Sequence, residues 1–159
     1  MLLKISRNKY KGFIFSYFRG LPHAHIAVWL DPRDAPKKAE DLDHWTTAEI
    51  PDKTTSPELH DLVKRFMIHG PCGQGYRSSK QPPCMKSGKC EKGFPKEYSK
   101  HSIYGESVSP QYRRRSPADG GHEVHVYTGT SNYKLDNRNV VPYNRYTGNK
   151  THVHETLTV

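Results

Sequence analysis

Apolar residues along the chain fall in short runs separated by polar segments rich in Gly and Pro, and the spacing inside each run predicts an element. Gly12–Phe18 (Gly-Phe-Ile-Phe-Ser-Tyr-Phe) is dense in aromatic β-formers and predicts a strand. His23–Leu30 carries Ile26, Val28 and Trp29 and meets no charge until Asp31, which predicts a second, buried strand ended by Asp31-Pro32. The short link Arg19–Pro22 predicts that the two strands are antiparallel neighbours. Lys37–Trp45 suits a short helix. A cleaner helix is predicted over 57–68, with Ser56 as N-cap, Pro57 at the first position and Glu58 in the first turn. Its core face would be Leu59, Leu62, Val63, Phe66 and Met67, and Gly70 would stop it. Glu49–Asp52 predicts a turn or an extended link. His122–Tyr127 alternates as a strand does. Asp136–Asn139 predicts a turn into Val140–Asn144, and Thr151–His154 closes the chain as one more strand.

Residues 69–95 lack the apolar content to order themselves by burial. Chemistry offers another way. His69, Cys72, Cys84 and Cys90 give one imidazole and three sulfurs within 22 residues, the donor count of a closed tetrahedral zinc site. The competing view is three unrelated reduced thiols. A metal would offset the ordering entropy of this segment, which favours Zn²⁺. An odd cysteine count also argues against a disulfide scaffold and for a reducing, intracellular compartment. In that setting the Asn149 sequon carries no weight.

The net charge of +9 is uneven and changes the picture further. Residues 1–20 carry a net +5 and residues 71–120 a net +6, flanking an acidic stretch, 31–70, at −3. A polyanionic partner meeting one face is the implied arrangement. Tyr112-Arg113-Arg114-Arg115 is the densest cationic run, suited to phosphate or to a solvated strand edge. Hydrophobic content of 33% allows one modest core, and no apolar run is long enough to span a membrane. Gly70 and Gly75 are spaced like the start of a phosphate loop. Tyr76-Arg77 then stands where Lys-Ser/Thr is required, so no ATP hydrolysis is expected of this chain.

His23 and His25 lie two apart in a strand, so their imidazoles would share a face and form a pair of metal ligands. The plainer alternative is one histidine satisfied by backbone and one solvated. A second pair, His152 and His154, has no apolar run behind it and is taken as surface histidines. The hydrophobic residue between His23 and His25 gives the HUH form. It is followed in order by Ala48-Glu-Ile-Pro-Asp52, Met67-Ile-His-Gly-Pro-Cys72, Pro83-Cys-Met85, Gly88-Lys-Cys90, Lys92-Gly-Phe-Pro-Lys96, Tyr112-Arg-Arg-Arg115, Asp136-Asn-Arg138 and Val140-Val-Pro-Tyr-Asn144.

With Arg19-Gly-Leu-Pro ahead of the histidines, this series resembles the Helitron helicase-like domain, the rolling-circle replication initiator (Rep) part of Helitron transposases. The resemblance implies an α+β fold with an HUH/RRM-like central antiparallel sheet, packed helices and a loop-rich, zinc-pinned insert. It places a basic extension at 1–11 and the domain at 12–159. It implies Mg²⁺ or Mn²⁺ on His23 and His25, and single-stranded DNA as partner, with Arg19, Arg113, Arg114 and Arg115 contacting it. No membrane and no small-molecule substrate are implied, and the location is nuclear. Relatives carry an ATP-driven helicase domain downstream. Two departures matter. Phe15-Ser16-Tyr17-Phe18 stands where the family has a polar third ligand, and the family's paired tyrosines lie beyond the block matched by His152-Val153. Tyr143 and Tyr146 stand among Pro142, Asn144 and Gly148 and are assigned no catalytic role. The expectation is a domain incomplete at its C-terminus that does not nick DNA as it stands; the alternative is a non-catalytic, zinc-stabilised single-stranded nucleic-acid binding module.

Overall fold

The computed structural model describes residues 10–17, 24–33, 36–73, 76, 82–105, 108–129 and 131–145. The fold is α+β, and the chain divides into two compact units between Lys37 and Lys38. Among the described residues the strands pair as four separate antiparallel two-stranded ladders, so one continuous central sheet is not seen there.

In the first unit, β1 (Tyr10–Tyr17) pairs antiparallel with β2 (Ala24–Leu30), the expected neighbours. The register sets Ser16 opposite His25 and Phe15 opposite Ile26.

The second unit holds helices α1 (Ala39–Trp45) and α2 (Pro57–Phe66). The backbone N–H of Lys38 donates to the Asp41 carboxylate at 3.0 Å, which satisfies an orphan amide at the start of α1. Leu42 is the α1 residue that is wholly buried. In α2, Pro57 needs no amide partner, Glu58 meets the positive end of the helix, and Lys64 and Arg65 meet the negative end. Leu59 and Val63, with Met67 just past the last turn, form its buried stripe. Phe66 departs from the expected pattern. It lies at the stripe's edge, 41% exposed, with the Arg65 guanidinium 5.2 Å from its ring centroid.

The stripe packs with Ile50, Val124, Leu135, Val140 and Tyr143 into one core. Val124 and Leu135 are opposite each other on β7 (Glu123–Tyr127) and β8 (Asn132–Asp136), with the neighbouring positions His125 and Lys134 turned to solvent. The other two ladders are β3 (Met85–Lys86) with β4 (Lys89–Cys90), and β5 (Ile103–Gly105) with β6 (Val108–Gln111).

The link after α1 is more than a connection. Every residue from Thr46 to Pro51 is buried. Thr47 and Tyr143 exchange backbone hydrogen bonds at 2.9 Å in both directions, and Ile50 donates its N–H to Asn137 Oδ1 at 2.7 Å. Asn137 also donates Nδ2–H to the Arg115 carbonyl at 2.8 Å. Gly121 closes this crossing. A Cβ there would stand 2.2 Å from the Arg115 carbonyl oxygen and 2.7 Å from Asn137 Nδ2. Gly121→Ala is therefore expected to cost about 2–3 kcal/mol, as overpacking against backbone does. An unchanged midpoint in urea denaturation would show that the crossing yields freely.

Candidate metal centre

Three short pieces of chain build the centre. Ile68, just past α2, makes an antiparallel bridge to Val140, and Val141 donates its N–H to the Met67 carbonyl at 2.7 Å. One residue on, the backbone of His69 is held on both sides by Asn139. His69 N–H donates to the Asn139 carbonyl at 2.8 Å, and Asn139 Nδ2–H donates to the His69 carbonyl at 3.1 Å. The chain then turns at Gly70, whose φ of +126° is one that L side chains rarely adopt and where a Cβ would stand a tight 3.1 Å from the Cys72 amide nitrogen. That turn brings Cys72 back beside His69.

The β3–β4 hairpin supplies the other two thiols. Its turn residues Ser87 and Gly88 have φ of +47° and +76°, the two positive values that a tight hairpin turn of type I′ needs. Met85 then stands opposite Cys90, and Glu91 N–H donates to the Cys84 carbonyl at 2.8 Å. Cys84 lies opposite Glu91 and Cys90 opposite Met85 at the open end of the hairpin, and their sulfurs come within 4.8 Å of each other. Phe94 follows and stacks on the His69 ring, with centroids 4.4 Å apart and planes at 25°.

The expected quartet does converge. One ligand atom from each of His69, Cys72, Cys84 and Cys90 falls within a set whose members all lie within 4.8 Å of one another. His69 Nε2 faces Cys90 Sγ at 3.2 Å. A tetrahedron with Zn–S bonds of about 2.3 Å has edges near 3.8 Å, so the widest separation is about 1 Å too long. Side-chain rotations of half-buried groups can close that gap. The donor set, three sulfurs and one imidazole, fits a structural zinc site, and the cluster could hold such a metal.

Electrostatics agree with ligation. Burial, helped by the charges of Lys92 and Lys96, holds the His69 imidazole below its usual range, so the ring is neutral when a metal needs its lone pair. Burial pushes the Cys72 thiol up to about 12, assisted by hydrogen bonding with Cys90 and by the neighbouring sulfurs. Burial and Cys90 also raise Cys84. Cys90 moves the other way. Burial opposes its thiolate, but the backbone N–H groups of Phe94 and Lys92 outweigh that and lower it. A divalent cation reverses the burial penalty by stabilising thiolate directly.

The arginine run has a different use from the one its sequence suggests. Arg114 is 5% exposed, and its guanidinium donates to the carbonyls of Asn137 at 2.6 Å and Val140 at 2.7 Å. It is not available to a phosphate. Arg115 grips Glu49 with Nε–H to Oε1 at 2.8 Å and an Nη–H to Oε2 at 2.7 Å. Arg113 adds an Nη–H to the same carboxylate at 3.2 Å and reaches Asp43 at 3.4 Å. The run is a clamp on a buried acid, for all that Arg113 and Arg115 keep about a third of their side-chain surface exposed.

Tyr143 is also committed inside the fold. Its hydroxyl donates to the Glu49 carbonyl at 2.9 Å, and burial pushes its pKa up. Arg19, His23, Tyr146, Asn149, His152 and His154 lie outside the described residues. For His25 the backbone pairing in β2 is what the structure gives. Sequence reasoning missed Glu49, Asn137 and Asn139 as organising residues. Their blocks stood out in order along the chain, but their polar side chains gave no hint of burial.

These features define an α+β chain whose second unit carries a His/Cys₃ cluster able to hold a metal such as zinc. Compared with protein-family models and with curated proteins, the chain matches none.

Proposed function

We propose that the chain is a zinc-pinned Rep-like domain of the Helitron kind, of HUH/RRM-like architecture, that binds single-stranded DNA in the nucleus. One observation carries this reading. The short blocks that resemble the Helitron domain in sequence bond to one another within the second unit. Lys96 N–H donates to the Arg138 carbonyl at 2.9 Å, Val141 joins Met67, Ile50 joins Asn137, and Glu49 joins Arg113 and Arg115. Chance matches scattered along a chain have no reason to meet in one place.

Zinc supplies rigidity here and no chemistry, since four protein donors close the coordination shell. His23 and His25 remain the proposed holders of Mg²⁺ or Mn²⁺. A nucleophilic tyrosine must be placed in line with the scissile phosphate, and Tyr143 spends its hydroxyl inside the core. That observation favours the second reading, a zinc-stabilised single-strand binding module without catalysis.

The test pairs two measurements on the full chain. Elemental analysis is expected to give one zinc per protein. Incubation with labelled single-stranded oligonucleotide and Mn²⁺ is expected to give binding without a covalent adduct on a denaturing gel. An adduct would establish the nuclease in place of the binding module. Absence of DNA binding would remove the proposal, and absence of zinc would remove its zinc-pinned form.

A further inference from the structure

With Arg113, Arg114 and Arg115 committed to Glu49 and to backbone carbonyls, the solvent-facing lysines are the remaining cations of the metal loop among the described residues. Lys89, Lys92 and Lys96 are exposed and have no ion-pair partner among the described residues. The other described lysines of the segment are engaged, Lys86 with Glu91 at 2.6 Å and Lys100 with Asp119 at 2.8 Å. Glu97 acts on Arg138. Two of the three, Lys92 and Lys96, act on the His69 ring. Lys96 Nζ donates to the Lys92 carbonyl at 3.1 Å and stands 5.1 Å from the centroid of Phe94, the ring stacked on His69. Lys89 immediately precedes the ligand Cys90 in β4.

We propose that Lys89, Lys92 and Lys96 on the metal loop form the phosphate-contacting surface for single-stranded nucleic acid, the partner named in the functional reading on which this rests. A simpler duty would be to neutralise the metal centre. Three thiolates and a neutral imidazole around Zn²⁺ carry a net charge of −1, which a single lysine offsets. Two positive charges are then left over. Phe94 contributes no stacking surface, because His69 covers it and Lys96 reaches over it. The recognition is therefore of phosphodiester charge and independent of sequence, and it is rigid only when the metal holds the loop.

The experiment is fluorescence anisotropy of a labelled mixed-sequence single-stranded DNA against the full chain, repeated from about 50 to 200 mM salt. Each lysine that neutralises a phosphate contributes about 0.7 to the slope of log K against log salt. The triple variant Lys89→Gln/Lys92→Gln/Lys96→Gln is expected to lower that slope by about 2 and to keep its zinc. Lys89→Gln alone leaves both lysines that act on His69 and is expected to lower it by about 0.7. An unchanged slope in the triple variant, where the wild-type protein binds DNA, overturns the surface and leaves the functional reading standing. An equal loss from Lys53→Gln with Lys64→Gln also overturns it, since diffuse charge would then explain the effect. Wild-type protein that does not bind the oligonucleotide overturns both.

Discussion

Replacing Cys84 by serine is expected to weaken zinc binding by at least about 100-fold and to release the ordered structure of residues 69–96. The magnitude follows from the chemistry. A single altered neighbour of a metal ligand costs about 10–100-fold in affinity, and loss of a thiolate donor costs more. Structural zinc in small peptides contributes about 10–16 kcal/mol of apparent binding energy at neutral pH, and that energy is folding energy. Here the release should stay local. His69 is tied to Asn139, and the core of Ile50, Val63, Val140 and Tyr143 does not include the metal loop. Amide hydrogen exchange would therefore show fast exchange at the amides of Glu91 and Gly93, and retained protection at Thr47, Met67 and Val141. A chelator should act likewise on the wild-type protein, because Cys84 lines an open pocket of about 330 Å³. Equal zinc content in the variant and the wild type would show that the four side chains meet without a metal.

How far the chain announces this centre depends on the kind of force involved. The donor quartet was legible because ligand chemistry is a property of residue type and count, and a Pro- and Gly-rich segment has few other means of ordering. Strands β1 and β2 were legible from their density of β-forming residues, and helix α2 because burial imposes a period on its apolar residues. Phe66 shows the limit of that argument. The period placed it on the stripe, yet in the folded chain it lies at the stripe's edge and keeps 41% of its surface exposed. The arginine run shows a deeper limit. Its partner Glu49 is more than sixty residues away, and no local pattern marks a charge that will be buried. Glu49–Asp52 reads as a turn or an extended link for the same reason, since the burial of this stretch depends on Asn137 and Tyr143 arriving from the far end of the unit. The proposed Mg²⁺ or Mn²⁺ pair, His23 and His25, still rests on sequence alone.

Glu49→Ala is expected to destabilise the second unit by about 3–4 kcal/mol. The Glu49 side chain is 3% exposed and accepts from Arg113, from the Arg115 guanidinium and from the Arg115 backbone N–H at 3.0 Å. Removing one member of a buried ion cluster costs about 3–5 kcal/mol, because the charges left behind lose their partner. Arg113 and Arg115 can each recover part of that from water, which places the cost in the lower half of the range. Acid should expose the same contact. Burial alone would raise the Glu49 pKa, but the hydrogen bonds from Arg115 and the charges of Arg113 and Arg115 outweigh it and hold the carboxyl below its usual 4.5. A carboxyl lowered in the folded state stabilises fully above its unfolded pKa. That contribution is lost as pH falls below about 4.5 toward the lowered value. Glu49→Gln keeps the shape but cannot ionise, so its stability should vary less with pH than the wild type below pH 4.5. Asp136, lowered by Arg138 against its own burial, leaves a residual acid limb in both proteins. Urea midpoints measured from pH 3 to 7 would read the difference. Parallel curves for the wild type and Glu49→Gln would show that the Glu49 carboxyl binds its proton equally well folded and unfolded, so that the arginine clamp does not favour its ionised form.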